Sequence, residues 1–133
     1  MNLFVDTSVW SLFLRRDCPP NLAEVIRLRQ ALESGETIIS TGLVLQELLQ
    51  GFAGPRDRQA ILGRFASLPF ASPTRDDHVE AAALRSELRR RGVQAGTVDV
   101  LLAQLCLGRD LTMLTTDRDF HHMAVHSTLK VWS

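Results

Sequence analysis

Four acidic residues stand alone in otherwise apolar segments of this 133-residue sequence: Asp6, Glu47, Asp99 and Asp117. Asp and Glu are among the residues that are least often buried without a partner. A buried charge without compensation is so costly that the group usually becomes neutral, pairs with a cation or binds a metal. No Lys or Arg lies within a few residues of the first three acids. The four acids are therefore candidates for one site that binds a hard metal ion.

Charge repulsion explains why such a site needs a metal. Two carboxylates about 4 Å apart repel each other by roughly 4 kcal/mol at an effective dielectric constant of about 20. A helix cap contributes only ~1 kcal/mol, which is too little to offset several such pairs. A divalent cation offsets the repulsion; otherwise some of the acids must be protonated at neutral pH. Oxygen ligands without His or Cys favour Mg²⁺ or Mn²⁺ over zinc, and Mg²⁺ commonly acts on phosphates.

Each acid also has a structural interpretation. An Asp between a strand and a helix is a common N-cap, which could account for Asp6 and Asp117. Asp99 lies in the first turn of a predicted helix, where the helix dipole favours a negative charge. Glu47 lies within a predicted helix, where a buried hydrogen bond or ion pair would be needed. One shared site explains all four positions, whereas the structural interpretation needs a separate reason for each.

Short apolar runs typical of β-strands alternate with helical patterns along the chain. Strands are predicted at residues 2–5, 37–40, 111–115 and 129–132, with a short extended segment within 69–73. Helices are predicted at 8–15, 23–34 and 43–52, after Pro55, from Asp76 to Arg91, at 97–108 and after Asp117. Thr41 is the predicted N-cap of the helix at 43–52, and Pro19-Pro20 separates the helix at 8–15 from the helix at 23–34. This alternation predicts an α/β fold with a central, mainly parallel, twisted sheet of four to five strands flanked by helices.

A parallel sheet would bring the four acids to one edge. In open parallel sheets, binding sites form outside the carboxyl ends of the strands. Asp6 and Asp117 each follow a predicted strand by one or two residues. Asp99 shares its helical face with apolar residues, and Glu47 lies at the rim of the apolar face of its own helix. Both helices therefore direct an acid toward the core or its edge.

Length and composition are those of a globular protein with one domain. A chain of 133 residues is large enough for a substantial core. Its 15 basic and 15 acidic residues balance, so no overall charge indicates a nucleic-acid partner. Cys18 and Cys106 lack the spacing of metal ligands, which argues against zinc. No signal-peptide pattern and no apolar run of about 20 residues occur, so the expected location is cytoplasmic, without membrane contact.

Four segments of the sequence resemble a known family. FVDTSVW, LVLQELLQGF, TVDVLLAQLCL and LTMLTTDRDFHHM are similar to segments of PIN domains, and more closely of the VapC-type toxins of toxin–antitoxin pairs. Their order and spacing match the family over essentially the whole chain. The resemblance implies a single PIN-like domain at residues 1–133 and an endoribonuclease that depends on Mg²⁺ or Mn²⁺.

The resemblance also assigns residues to the site. The metal ligands and catalytic residues map to Asp6, Glu47, Asp99 and Asp117, supported by Thr7, Thr115, Thr116 and Asp119. Asp6 and Asp99 are expected to bind the metal directly, with Asp117 completing the site. Glu47 is expected to bind a second metal through water or to orient the nucleophile. The general base is left unassigned.

The substrate and partners follow from the same resemblance. Family members usually cleave single-stranded or loop segments of structured RNA and leave a 5′-phosphate and a 3′-hydroxyl. The metal would bind a phosphodiester oxygen and lower the pKa of a bound water. A VapB-type antitoxin would insert its C-terminal segment into a groove, to which Trp10 and Phe13 could contribute beside their main role in the core. A homodimer is expected because homodimers are usual in the family.

Two groups of arginines could contact RNA. Arg15 and Arg16 end a predicted helix close in sequence to Asp6 and are candidates for binding RNA phosphates. The run Arg89–Arg91 ends a longer helix, where cations are favoured by the helix dipole, and is interpreted mainly as a solvated helix end.

The histidines give little indication of function. His121 and His122 follow the last acidic segment, but neighbouring residues of a helix cannot both face one metal. His78 and His126 carry no functional signal.

Other functions fit the sequence less well. A phosphatase of the haloacid dehalogenase type needs a second Asp at the position that Ser8 occupies. A receiver-like phosphoacceptor needs an early acidic pair and a lysine after its last strand, and neither is present. A catalytically inactive PIN-like binding module is disfavoured because all four acids are retained. The inactive module and a metal-dependent phosphatase are the alternatives to the ribonuclease.

Overall fold

Parallel strands form the centre of the computed structural model, which describes residues 1–17 and 21–133. The strands of the described chain are β1 (Leu3–Val5), β2 (Ile38–Ile39), β3 (Thr112–Leu114) and β4 (Lys130–Val131). They form one sheet in the order β2-β1-β3-β4, and every pairing is parallel. The predicted α/β class and the parallel sheet are confirmed.

Helices connect and cover the strands. Within the described residues they are α1 (Thr7–Leu14), α2 (Ala23–Ser34), α3 (Gly42–Gly51), α4 (Pro55–Phe65), α5 (Arg75–Arg90), α6 (Thr97–Arg109) and α7 (Arg118–Val125). No helix in this part of the chain combines the length and apolar character needed to cross a membrane.

The central strand β1 places the first acid beside the last two. All three residues of β1 are fully buried, as expected for an apolar strand covered on both faces. Val5 is in register with Leu114 of β3, and the Asp6 backbone N–H donates to the carbonyl of Leu114 at 3.0 Å. Because β1 and β3 run in the same direction, the chain segments that follow them begin at the same edge of the sheet.

Of the two aromatic residues of α1 that were expected to lie mainly in the core, one is fully buried. Trp10 is fully buried and packs against Phe65, with ring centroids 4.9 Å apart. Phe13, by contrast, is only partly buried. Cys106 lies in the core as a small apolar side chain, while Cys18 and the predicted break at Pro19-Pro20 lie outside the described residues.

Element boundaries differ from the predicted ones by a few residues at most. Each strand is shorter than predicted, and the extended segment within 69–73 is a single parallel bridge between Ser40 and Phe70. Thr41 stands at the N-cap position of α3, but its side chain makes no capping hydrogen bond. The N-cap of α5 is Thr74, which forms a capping box with Asp77, whereas the helix was expected to begin at Asp76. A reciprocal cap satisfies two backbone donors at once, which explains why α5 begins one residue before Asp76.

Candidate metal centre

Asp6 is the most buried of the candidate acids, with 6% of its surface exposed. It follows β1 and is the N-cap of α1, as the structural interpretation of this residue predicts. Its Oδ2 atom accepts hydrogen bonds from the Ser8 hydroxyl at 2.8 Å and from the Thr115 hydroxyl at 2.9 Å. The carboxylate is therefore held in one orientation by two side chains that are more than a hundred residues apart in the sequence.

The two hydroxyls connect Asp6 to the backbone of the segment between β3 and α7. Ser8 Oγ accepts the Thr116 N–H at 3.1 Å, and Thr115 Oγ1 accepts the Asp117 N–H at 2.9 Å. Each hydroxyl has one proton, and both hydroxyls donate that proton to Asp6. The Ser8 and Thr115 oxygens also lie 3.3 Å apart, but neither has a second proton to donate to the other. This network fixes the end of β1 relative to the end of β3.

Asp99, Asp117 and Asp119 form the tightest group of acids in the described residues. Each offers a carboxylate oxygen that lies within 4.8 Å of the oxygens of the other two. Asp117 is the N-cap of α7, and its Oδ1 accepts the Asp119 N–H at 2.9 Å. Asp99 approaches from the first turn of α6. We call these three residues the acid triad.

Glu47 lies on an exposed part of α3, outside the acid triad. Its Oε1 accepts a hydrogen bond from the hydroxyl of Thr7 at 3.2 Å. Thr7 is the first residue of α1 and directly follows Asp6. This contact brings α3 to the edge of the sheet where the other acids lie.

The electrostatics of Asp99 show how closely the acids converge. Burial, followed in order of effect by the negative charges of Asp117, Asp6, Asp119 and Glu47, raises the pKa of this carboxyl from its usual 3.8 to about 6 in total. Among the described residues, no Lys or Arg forms an ion pair with any of the five acids. The site thus concentrates negative charge without a protein cation to balance it.

The acid triad suits a hard divalent cation. Its donors are carboxylate oxygens without His or Cys, the set that favours Mg²⁺ or Mn²⁺. Two oxygens bound to one Mg²⁺ are at most about 4.2 Å apart, since each lies about 2.1 Å from the ion. The three oxygens lie within 4.8 Å of one another, which is close to this span.

The structure brings the predicted acids together but arranges them differently than expected. Asp119, predicted to be a supporting residue, lies in the acid triad, whereas Asp6 lies outside it and has one oxygen occupied by hydroxyls. Thr116 contacts the network through its backbone N–H. Ser8 was not predicted to support the site. The sequence feature that could have indicated this role is the position of the Ser8 hydroxyl two residues after Asp6, at the end of β1.

Arg15 and Arg16 lie farther from the acids than their sequence positions suggest. Both are exposed and follow the C-terminal end of α1, whereas Asp6 precedes its N-terminal end. A helix of this length spans about 12 Å. Any contact these arginines make with RNA is therefore at the end of α1 opposite Asp6.

Comparison with known families identifies the fold. The profile described as PIN domain matches residues 3–126, which is most of the chain. The chain belongs to the PIN domain family, as its sequence motifs predicted.

Solved structures that are similar to this chain include VapBC proteins and a VapC toxin. A chain of the VapBC2 complex from Rickettsia felis, bound to a DNA fragment from its promoter, has a TM-score of 0.76 and 20% identity over 99% of this chain and 98% of that chain. A chain of DNA-bound VapBC from Salmonella typhimurium has a TM-score of 0.76 and 19% identity over 99% and 97%. VapC20 from Mycobacterium tuberculosis, described as a Sarcin-Ricin loop cleaving toxin, has a TM-score of 0.65 and 20% identity over 90% and 92%.

Proposed function

We propose that this protein is an endoribonuclease dependent on Mg²⁺ or Mn²⁺ and acts as the toxin of a type II toxin–antitoxin pair. The observation that carries the proposal is the convergence of five acids, without a cationic partner in the described chain, at the carboxyl edge of a parallel sheet. Membership in the PIN domain family and structural similarity to VapBC proteins support it. A cytoplasmic location, where cellular RNA is present, is part of the proposal.

In this mechanism the acid triad would hold the cation, with Asp6 beside the triad and Glu47 at the rim of the site. When bound, the cation supplies Lewis-acid stabilisation of the phosphodiester and activation of water. Ser8 and Thr115 occupy Oδ2 of Asp6, so its other oxygen is free of hydrogen bonds from described residues and can face the cation. The Thr7 hydroxyl holds Glu47 over the site, where its carboxylate can orient a nucleophilic water.

The proposed substrate is a single-stranded or loop segment of a structured RNA. VapC20, which shares the fold, is described as cleaving the Sarcin-Ricin loop, and this supports RNA as the substrate class for the present chain. The phosphatase alternative needs an acid at position 8. The Ser8 hydroxyl donates its proton to Asp6 and is thus a poor substitute for a general acid.

The proposed protein partner is a VapB-type antitoxin. Phe13 of α1 is partly buried, and the guanidinium groups of Arg29 and Arg64 lie 5.8 and 5.1 Å from its ring centroid. This surface combines an aromatic ring with two cations, which suits a segment carrying apolar and acidic residues. The substitution Phe13→Asp should abolish co-purification with the co-expressed antitoxin, whereas Val125→Asp, on the exposed side of α7, should not.

The decisive experiment is incubation with total cellular RNA, with and without Mn²⁺, followed by mapping of new 5′ ends. We expect metal-dependent cuts that carry 5′-phosphates and that Asp6→Asn abolishes. Asp57→Asn is the matched control, because Asp57 is an exposed acid in the first turn of α4. Absence of metal-dependent cuts, or equal cutting by Asp6→Asn, would refute the nuclease proposal.

A further inference from the structure

A depression of about 300 Å³ lies directly beside the acid triad. One wall is the turn at residues 92–94, which follows α5, and the other is formed by the face of α7 that carries His122 and by His126, which directly follows the helix. Asp119 also lines the depression, so it belongs to both the depression and the acid triad. A molecule in this depression would touch the proposed metal centre.

The α7 wall presents two imidazoles next to an acid of the site. Asp119 and His122 are spaced i and i+3, which places them on one side of α7, and His126, the C-cap residue of this helix, lines the same depression. His121 is rotated by about 100° from His122 and does not line the depression. Neither His122 nor His126 has a side-chain hydrogen bond within the described residues, so both imidazoles are available to a ligand.

The opposite wall presents one amide side chain on a well-held turn. The backbone N–H of Val93 donates to Leu88 at 2.8 Å, and the carbonyl of Ala95 accepts from Arg85 at 2.8 Å. Gln94, between these two anchored residues, is exposed and makes no hydrogen bond in the described part of the structure. An amide carries both donors and an acceptor, so it can recognise the edge of a base.

The shape and surroundings favour one nucleotide of a single-stranded RNA. A volume of about 300 Å³ is at the lower end of the range for small-molecule sites, which suits one nucleoside unit. Unstacked RNA bases commonly stack on aromatic side chains, including His, and are read through hydrogen bonds to their edges. A groove of about 400 Å³ also lies between α5 and α6. No residue of the acid triad lines this groove, whereas Asp119 lines the depression.

We propose that this depression binds the nucleotide adjacent to the scissile phosphate, with its base on His122 or His126 and its edge read by Gln94. The proposal rests on the proposed ribonuclease function and adds to it a determinant of cleavage sequence. His122, His126 and Gln94 are specificity residues in this assignment. None of them holds the metal.

The first test measures binding without cleavage. The four nucleoside 5′-monophosphates and 3′-monophosphates are added in the presence of Mg²⁺ while the imidazole ring resonances are followed by NMR. We expect shifts confined to His122 and His126 that depend on the base, with His121 and His78 as unchanged internal controls. Inorganic phosphate is the comparison probe: equal shifts with phosphate alone, or none with any nucleotide, would overturn the proposal.

The second test measures the sequence of the cuts. The double variant His122→Ala/His126→Ala and the single variant Gln94→Ala should each reduce base preference at the position next to the cut by about fivefold or more, with the cutting itself retained. His121→Ala is the matched control on the same helix and should leave the preference unchanged. An unchanged preference in the first two variants contradicts the proposal. A wild-type protein that cuts no RNA refutes the nuclease function instead, since the NMR test does not depend on cleavage.

Discussion

Asp99 carries a raised pKa because burial and four neighbouring acids all disfavour its ionised form. Its position in the first turn of α6 supplies only a small compensation from the helix dipole. The neighbouring negative charges that destabilise the ionised Asp99 carboxyl in the metal-free protein would also attract a cation. A cation bound at this site would therefore stabilise the folded protein.

Replacing Asp99 separates a metal-binding role from a structural one. Asp99→Asn removes a negative charge from the acid triad, so the metal-free protein should be equally or more stable in urea unfolding. The same variant should lose Mn²⁺ binding in calorimetry. Asp76→Asn is the control, because Asp76 is an exposed acid in the first turn of α5, and it should leave Mn²⁺ binding unchanged. A clear loss of stability with unchanged Mn²⁺ affinity would contradict the metal assignment.

Ser8 acts on the site through Asp6. Ser8→Ala removes one donor to Asp6 and the acceptor of the Thr116 N–H. Loss of a partner that orients a metal ligand typically lowers affinity by about 10- to 100-fold, and we expect a decrease in Mn²⁺ affinity of about tenfold. Ser8→Thr, which keeps the hydroxyl, should restore most of it. Ser11→Ala, on the same helix, is the control; an equal effect there would mean that Ser8 has only a general role in α1.

At the scale of elements, an ion pair joins the start of α5 to the end of α6. Arg109 donates to Asp77 at 3.0 Å, and Asp77 also accepts the backbone N–H of its cap residue Thr74 at 2.8 Å. These contacts, the arginine first, lower the pKa of Asp77 from its usual 3.8 to about 2. The pair holds the helix that carries Asp99 against α5.

The Asp77 contacts predict a pH dependence of stability. Because the pKa is lower in the folded state, the stabilisation is complete above about pH 4 and is lost as the pH falls toward 2. Asp77→Asn should cost on the order of 2 kcal/mol in unfolding free energy at pH 7, and the difference from wild type should shrink over that acidic range. Glu87→Gln, which disrupts an exposed pair with Arg90, should cost less. A difference independent of pH would contradict this assignment.

At the scale of the whole molecule, the family resemblance leads us to expect a homodimer, and we propose the open groove between α5 and α6 as its interface. Its lining combines apolar residues such as Ala82, Val98 and Leu101 with exposed arginines. Ala82→Glu should shift the mass measured by light scattering from dimer to monomer. Leu62→Glu, on the exposed surface of α4, should not. A wild-type monomer at high concentration would contradict the dimer proposal.

Much of the architecture could be predicted because it depends on local patterns. Apolar runs such as residues 3–5 form strands, and helical periodicity with Gly or Asp at the boundaries marks the helices. Thr41 shows where this reasoning fails, since its sequence suggests a cap but its hydroxyl is buried without a hydrogen bond in the described structure. Whether a side chain completes a cap depends on its rotamer and packing, which the sequence pattern does not specify.

The sequence by itself determined that isolated acids follow two strands and lie on two helices, and that a parallel sheet must bring some of them together. Only the tertiary structure decided that Asp119 lies in the acid triad, that Ser8 supports Asp6, and that α1 separates Arg15 from the site. The physical reason is the range of the interactions. Strand and helix signals arise between near neighbours in the chain, whereas these arrangements depend on how elements distant in sequence pack at one edge of the sheet.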